Sequence, residues 1–126
     1  MQLFHTMTKY ILLLFLLFST ITSSAQSKEC DCQNRVYINY DKADFVFNGK
    51  VLKRLSHRLN GNNVIQFRVY QMIKGKQTGE TVAIMIPCLT TDCCGILFEK
   101  GKRYQVYARL VDGNYLTYLC SETKEL

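Results

Sequence analysis

From residue 26 onward, apolar and polar residues alternate in short runs, and no window of ten or more residues holds a helical period. Ile65, Phe67 and Val69 alternate with Gln66, Arg68 and Tyr70, the pattern of a strand buried on one face. Val82, Ile84 and Ile86 share a face of Thr81–Ile86, and Pro87 ends that strand because it has no N–H for a ladder. Phe45–Leu55 reads as a long strand interrupted at Gly49, where glycine signals a bulge or bend. RYQVYARLV and NYLTYL flank Asp112-Gly113, a strong hairpin signal. Arg35–Tyr40, rich in β-branched and aromatic residues, predicts a further short strand. Asp41 and Asp44 fall in the polar turn after it, as turn or cap residues. Asn60–Asn63 is a loop tip, and Gly75 and Gly79 bracket a turn. About five main strands at regular intervals predict a small barrel or sandwich, and a bent first strand favours the closed barrel.

The first 25 residues follow a different pattern. Tyr10–Phe18 is unbroken apolar sequence after a short polar start with His5 and Lys9. Ser23 and Ala25 then fit the small-residue rule for cleavage, so residues 1–25 read as a secretory signal peptide. Nine helical residues span about 14 Å, against about 30 Å for a bilayer core, so no membrane span is expected after signal removal. The expected domain is residues 26–126, secreted or periplasmic. It keeps fifteen of the sixteen Lys and Arg against ten Asp and Glu, a net charge of +5. Export disfavours nucleic acid as a partner and leaves anionic glycans or acidic proteins. Lys50, Lys53, Arg54 and Arg58 form the densest basic stretch, with His57 among them.

Export also sets the cysteine chemistry. Cys30, Cys32, Cys88, Cys93, Cys94 and Cys120 form an even set, which in an oxidising compartment forms disulfides. Six cysteines allow about 15 pairings, and spacing does not choose among them. A bridge between the neighbours Cys93 and Cys94 is strained, and Cys30 and Cys32 each reach for a distant partner. A zinc site fits poorly, because CDC lacks the two to four intervening residues of a metal knuckle. No Cys-x-x-Cys redox motif occurs. His57 is the one histidine beyond the signal, and no Gly-rich phosphate loop precedes a helix. The chain is therefore not expected to be an enzyme, and it calls for no cofactor or metal.

The order of features resembles the netrin-like family, and within it the tissue inhibitors of metalloproteinases. The resemblance begins with Cys30-Asp31-Cys32 and continues through Ala43–Val51, Phe67-Arg68-Val69 and Lys74-Gly75. Cys94-Gly95, Phe98–Ala108 and Leu116–Thr123 complete it, so it covers nearly all of residues 26–126. It implies an all-β fold with little helix, a five-stranded OB-type barrel stapled by disulfides. It also implies the pairs Cys30–Cys94, Cys32–Cys120 and Cys88–Cys93.

The same resemblance implies inhibition of a metalloendopeptidase through the Cys30–Cys32 edge. In that family the first cysteine is the mature N-terminal residue, and its α-amine and carbonyl oxygen chelate the protease zinc. Cys30 takes that role here, Asp31 enters the specificity pocket, and Thr90, Thr91, Asp92 and Cys93 form the adjoining ridge. Cleavage after Ala25 instead leaves Gln26–Glu29 ahead of Cys30. The alternative is a non-inhibitory module that binds an extracellular protein or an anionic glycan.

Overall fold

The computed structural model describes residues 6–11 and 30–126. Apart from residues 6–11, which are helical and exposed, the expected signal peptide lies outside the described residues. No helix among the described residues is long and apolar enough to cross a membrane.

Residues 30–126 are built from strands. These are β1 (Phe45–Arg54), β2 (Asn63–Lys74), β3 (Thr81–Ile86), β4 (Arg103–Val111), β5 (Asn114–Leu116) and β6 (Lys124–Glu125). The sheet runs β1-β2-β3-β5-β4, and a β1–β4 pairing closes it into a five-stranded OB-type barrel. All neighbours are antiparallel except β3 and β5, which pair in parallel through Ile84↔Tyr115 and Met85↔Leu116. β6 extends the sheet along β4. One turn of 3-10 helix, Thr91–Cys93, interrupts the crossing from β3 to β4.

β1 closes the barrel because it bends. Its register on β2 shifts between Val46 and Phe47, between Asn48 and Gly49, and again between Val51 and Lys53. Gly49 is required at the second shift, since a Cβ there would lie 2.7 Å from the Phe47 ring and 2.8 Å from the Arg68 carbonyl oxygen. Both two-residue tips use positive φ: Asn60 and Gly61 between β1 and β2, Asp112 and Gly113 between β4 and β5. Asn, Asp and Gly tolerate that region, and its twist matches the flanking strands.

Alternation fills the interior. Phe45, Phe47 and Val51 of β1 meet Ile65, Phe67 and Val69 of β2, Ile84 and Ile86 of β3, and Tyr104, Val106 and Ala108 of β4. Phe47, Phe67, Phe98 and Tyr104 form a chain of edge-to-face rings with centroids 4.8–5.5 Å apart. Phe45 stacks on Tyr115 at 4.5 Å.

A second, smaller core lies outside the barrel wall. Ile38, Ala43, Val46, Cys94, Tyr118 and Cys120 bury one another there. This is where the expected strand at Arg35–Tyr40 fails. Only Ile38 is buried, and it makes a single parallel bridge to Ser121, while Val36, Tyr37 and Tyr40 stay about half exposed. A segment that docks one side chain needs no ladder. The turn after it is capped by Asn39, whose Oδ1 accepts the Lys42 N–H. Asp44 instead accepts the Leu110 N–H at 2.7 Å, fastening β4.

The expected strand Asn114–Leu119 is likewise cut to three residues. Thr117 leaves the sheet, is fully buried, and donates its hydroxyl to the Tyr107 carbonyl at 2.7 Å.

Candidate functional site

Three disulfides fasten the loops: Cys30–Cys94, Cys32–Cys120 and Cys88–Cys93. The sulfurs of Cys30, Cys32 and Cys120 lie within 4.8 Å of one another. Every cysteine is bridged, so this cluster offers no thiolate to a metal.

The segment Cys30–Arg35 has no strand of its own. Two long-range bridges position it, with Cα–Cα distances of 4.9 Å to Cys94 and 5.4 Å to Cys120. The Tyr118 hydroxyl donates to the Val36 carbonyl, and Ile38 N–H donates to the Cys120 carbonyl at 2.9 Å. Within the segment, Asp31 forms an Asx turn. Its Oδ1 accepts the Gln33 N–H at 2.9 Å and its Oδ2 accepts the Asn34 side-chain amide at 2.9 Å.

The facing loop is as tightly specified. Cys94 has φ of 64° and ends the 3-10 turn, donating its N–H to the Thr91 carbonyl. Gly95 donates to the Thr90 carbonyl at 3.0 Å and passes directly over Cys88, where a Cβ would lie 2.0 Å from the carbonyl oxygen. The Cys88–Cys93 bridge closes this loop across its base. Leu119 N–H donates to the Cys94 carbonyl at 2.8 Å, which ties the loop to the C-terminal segment.

The result is a ridge with Cys30 at its centre. An open cleft of about 830 Å³ lies on one side, lined by Cys30, Asp31, Asn34, Arg35, Asp92, Cys93 and Cys94. A smaller cleft of about 250 Å³ lies on the other, lined by Cys30, Thr91, Asp92 and Leu119. Asp92 borders both. Asp31, Asp92 and Arg35 place two carboxylates and one guanidinium around the larger cleft.

The sequence-predicted site residues divide in two. Cys30, Asp31, Thr91 and Asp92 come together on this ridge. Cys32 and Thr90 line neither cleft. Cys32 is exposed and anchored to Cys120, and Thr90 lines a separate 420 Å³ cleft with Arg54, Ser56 and Arg58. Asn34, Arg35 and Leu119 join the ridge without a signal in the sequence, because the disulfides bring them there. No protein-family model and no curated protein matches the chain.

Proposed function

We propose that the chain is a secreted netrin-like domain that inhibits a metalloendopeptidase by inserting the Cys30–Asp31 edge, with Thr91 and Asp92 beside it, into the protease cleft. The supporting observation is the pair of bridges that holds Cys30 next to the 3-10 turn at Thr91–Cys93. Such an edge is pre-organised, so little conformational entropy is lost on binding. In a chain that starts at Cys30, the α-amine and the Cys30 carbonyl oxygen are a bidentate donor set for the protease zinc. An amide nitrogen inside a chain is no such donor at neutral pH.

A second reading is a binding module without inhibition. It is favoured by Asp31, whose carboxylate is folded back onto Gln33 and Asn34 rather than free. It is also favoured by the four residues that cleavage after Ala25 leaves ahead of Cys30.

Two chains separate these readings, one starting at Cys30 and one at Gln26, assayed against a panel of zinc endopeptidases. Inhibition by the Cys30 form alone is the expected result. Inhibition by neither form overturns the inhibitory reading and leaves the binding module.

A further inference from the structure

We propose that Cys32 is a thiol-exchange site, through which a small-molecule thiol converts the pairs Cys30–Cys94 and Cys32–Cys120 into Cys30–Cys120 and Cys32–Cys94. Burial selects the sulfur that is attacked. In the Cys32–Cys120 bridge, Cys120 is fully buried and Cys32 is exposed. In the Cys30–Cys94 bridge, Cys94 is buried and Cys30 is half-buried. A thiolate exchanges at the sulfur it can reach. It therefore enters at Cys32, and Cys120 is the leaving group.

The buried thiolate that results has a target in place. Cys120 Sγ lies 3.5 Å from Cys30 Sγ, and the sulfurs of Cys30, Cys32 and Cys120 all lie within 4.8 Å of one another. The first step joins the small thiol to Cys32 as a mixed disulfide and leaves the electron pair of the broken bond on Cys120 Sγ. In the second step that thiolate attacks Cys30 Sγ, forms Cys30–Cys120 and expels Cys94 as a thiolate. In the third step Cys94 attacks Cys32, forms Cys32–Cys94 and expels the small thiolate. The thiol is returned, so nothing is oxidised or reduced overall and no further co-reactant is consumed.

Chain entropy does not oppose the exchange. Cys30 and Cys120 are 90 residues apart in sequence and Cys32 and Cys120 are 88, so the two pairings close loops of nearly equal length. Packing favours the described pairs, since Cys94 is buried in the second core with Ile38 and Cys120. The swapped pairs take Cys30 off the loop at Cys94 and so away from Thr91 and Asp92, which share a cleft with it. The exchange is thus a covalent switch on the ridge and does not rest on protease inhibition. The Cys88–Cys93 bridge is the internal contrast. Cys93 is also exposed, but with a separation of 5 the opened bridge closes again on itself.

The test exposes the folded, fully oxidised protein to reduced glutathione at about pH 8, where thiolate is present. Samples are trapped with N-ethylmaleimide and the bridges are mapped by mass spectrometry. Peptides linking Cys30 to Cys120 and Cys32 to Cys94 are expected, at a rate proportional to glutathione, with the glutathione adduct on Cys32. Without thiol, only the described pairs are expected. Cys88→Ser/Cys93→Ser should form the swapped pairs within about threefold of the unsubstituted rate, because Cys93 is not the entry point. Cys94→Ser needs no added thiol. It leaves Cys30 as a free thiol beside Cys120, and alkylation should label both Cys30 and Cys32, since Cys120 exchanges between them. Loss of bridges to free thiols with neither swapped peptide, a first adduct away from Cys32, no exchange in Cys88→Ser/Cys93→Ser, or labelling of Cys30 alone in Cys94→Ser would each overturn the proposal.

Discussion

Gly95 has no room for a side chain, and it sits under the ridge that carries Cys30 and Asp92. With a Cβ 2.0 Å from the Cys88 carbonyl oxygen, Gly95→Ala must move backbone rather than a flexible side chain. Its cost should exceed the ~1–3 kcal/mol of ordinary overpacking. Gly113→Ala is the control: φ is +81° but nothing lies within 4 Å, so only the left-handed backbone penalty of about 1–2 kcal/mol applies. Urea denaturation should separate the two by more than about 1 kcal/mol, and equal losses would mean that the Cys88–Gly95 crossing is looser than described. Tyr107 makes a different prediction at the same scale. Burial first, and then the nearby Glu122 carboxylate, raise its pKa. The folded chain thus holds this proton more tightly than the unfolded chain. Its contribution is complete below the unfolded value of about 10 and is lost as pH rises from there through the folded value. Lys102, raised chiefly by its hydrogen bond to Glu99 and then by the charge of Glu125, acts in the same direction from an exposed position. Tyr107→Phe should make the loss of thermal stability above about pH 10 shallower, and an unchanged slope would remove Tyr107 from that limb. Residue chemistry was partly legible in the sequence. Polar Asp41 and Asp44 marked a turn, but the cap belongs to Asn39 and Asp44 serves β4, because only the fold brings Leu110 to it.

The strands show where sequence pattern suffices. β2 and β3 have a buried face of their own, so Ile65, Phe67, Val69, Ile84 and Ile86 announce themselves by alternation. Phe67 touches two rings at the barrel centre and is fully buried. Phe67→Ala should cost about 3–5 kcal/mol in chemical denaturation, and a loss under about 1 kcal/mol would be inconsistent with a packed interior. Alternation misled at Arg35–Tyr40, where β-rich residues surround one buried Ile38 on a tethered segment. It also missed β6 and the two-residue β3–β5 pairing within the barrel, which are too short to carry a period. The tether itself can be tested. In the loop-entropy model, a bridge such as Cys32–Cys120, with a sequence separation of 88, contributes about 4–5 kcal/mol as an upper-end figure. The Cys88–Cys93 bridge, with a separation of 5, contributes about 2 kcal/mol. Cys32→Ser/Cys120→Ser should therefore destabilise more than Cys88→Ser/Cys93→Ser. It should also release the Ile38 and Glu122 amides to rapid hydrogen exchange, since their bonds to the Cys120 and Ile38 carbonyls join the docked segment to the C-terminal segment. The reverse order of stability would contradict the tether.

At the scale of the molecule, a barrel with a modest core carries a ridge at Cys30 that is made by covalent links, and its partial legibility follows from that: a Cys-x-Cys and a Cys-Cys-Gly show in the chain, but what they gather around them does not. Asn34, Arg35 and Leu119 line the clefts only once the bridges exist. The ridge depends on one arrangement, the N-terminal segment stapled to the loop at Cys94 and to the C-terminal segment at Cys120. Cys30 Sγ lies 3.5 Å from Cys120 Sγ, so the realistic competitor is a swapped pairing of the same four cysteines. The most direct measurement is a disulfide map of the non-reduced protein by proteolysis and mass spectrometry. The account predicts peptides linking Cys30 to Cys94, Cys32 to Cys120 and Cys88 to Cys93. Peptides linking Cys30 to Cys120 and Cys32 to Cys94 would contradict it, because Cys30 and Asp31 would then no longer be held beside Thr91 and Asp92.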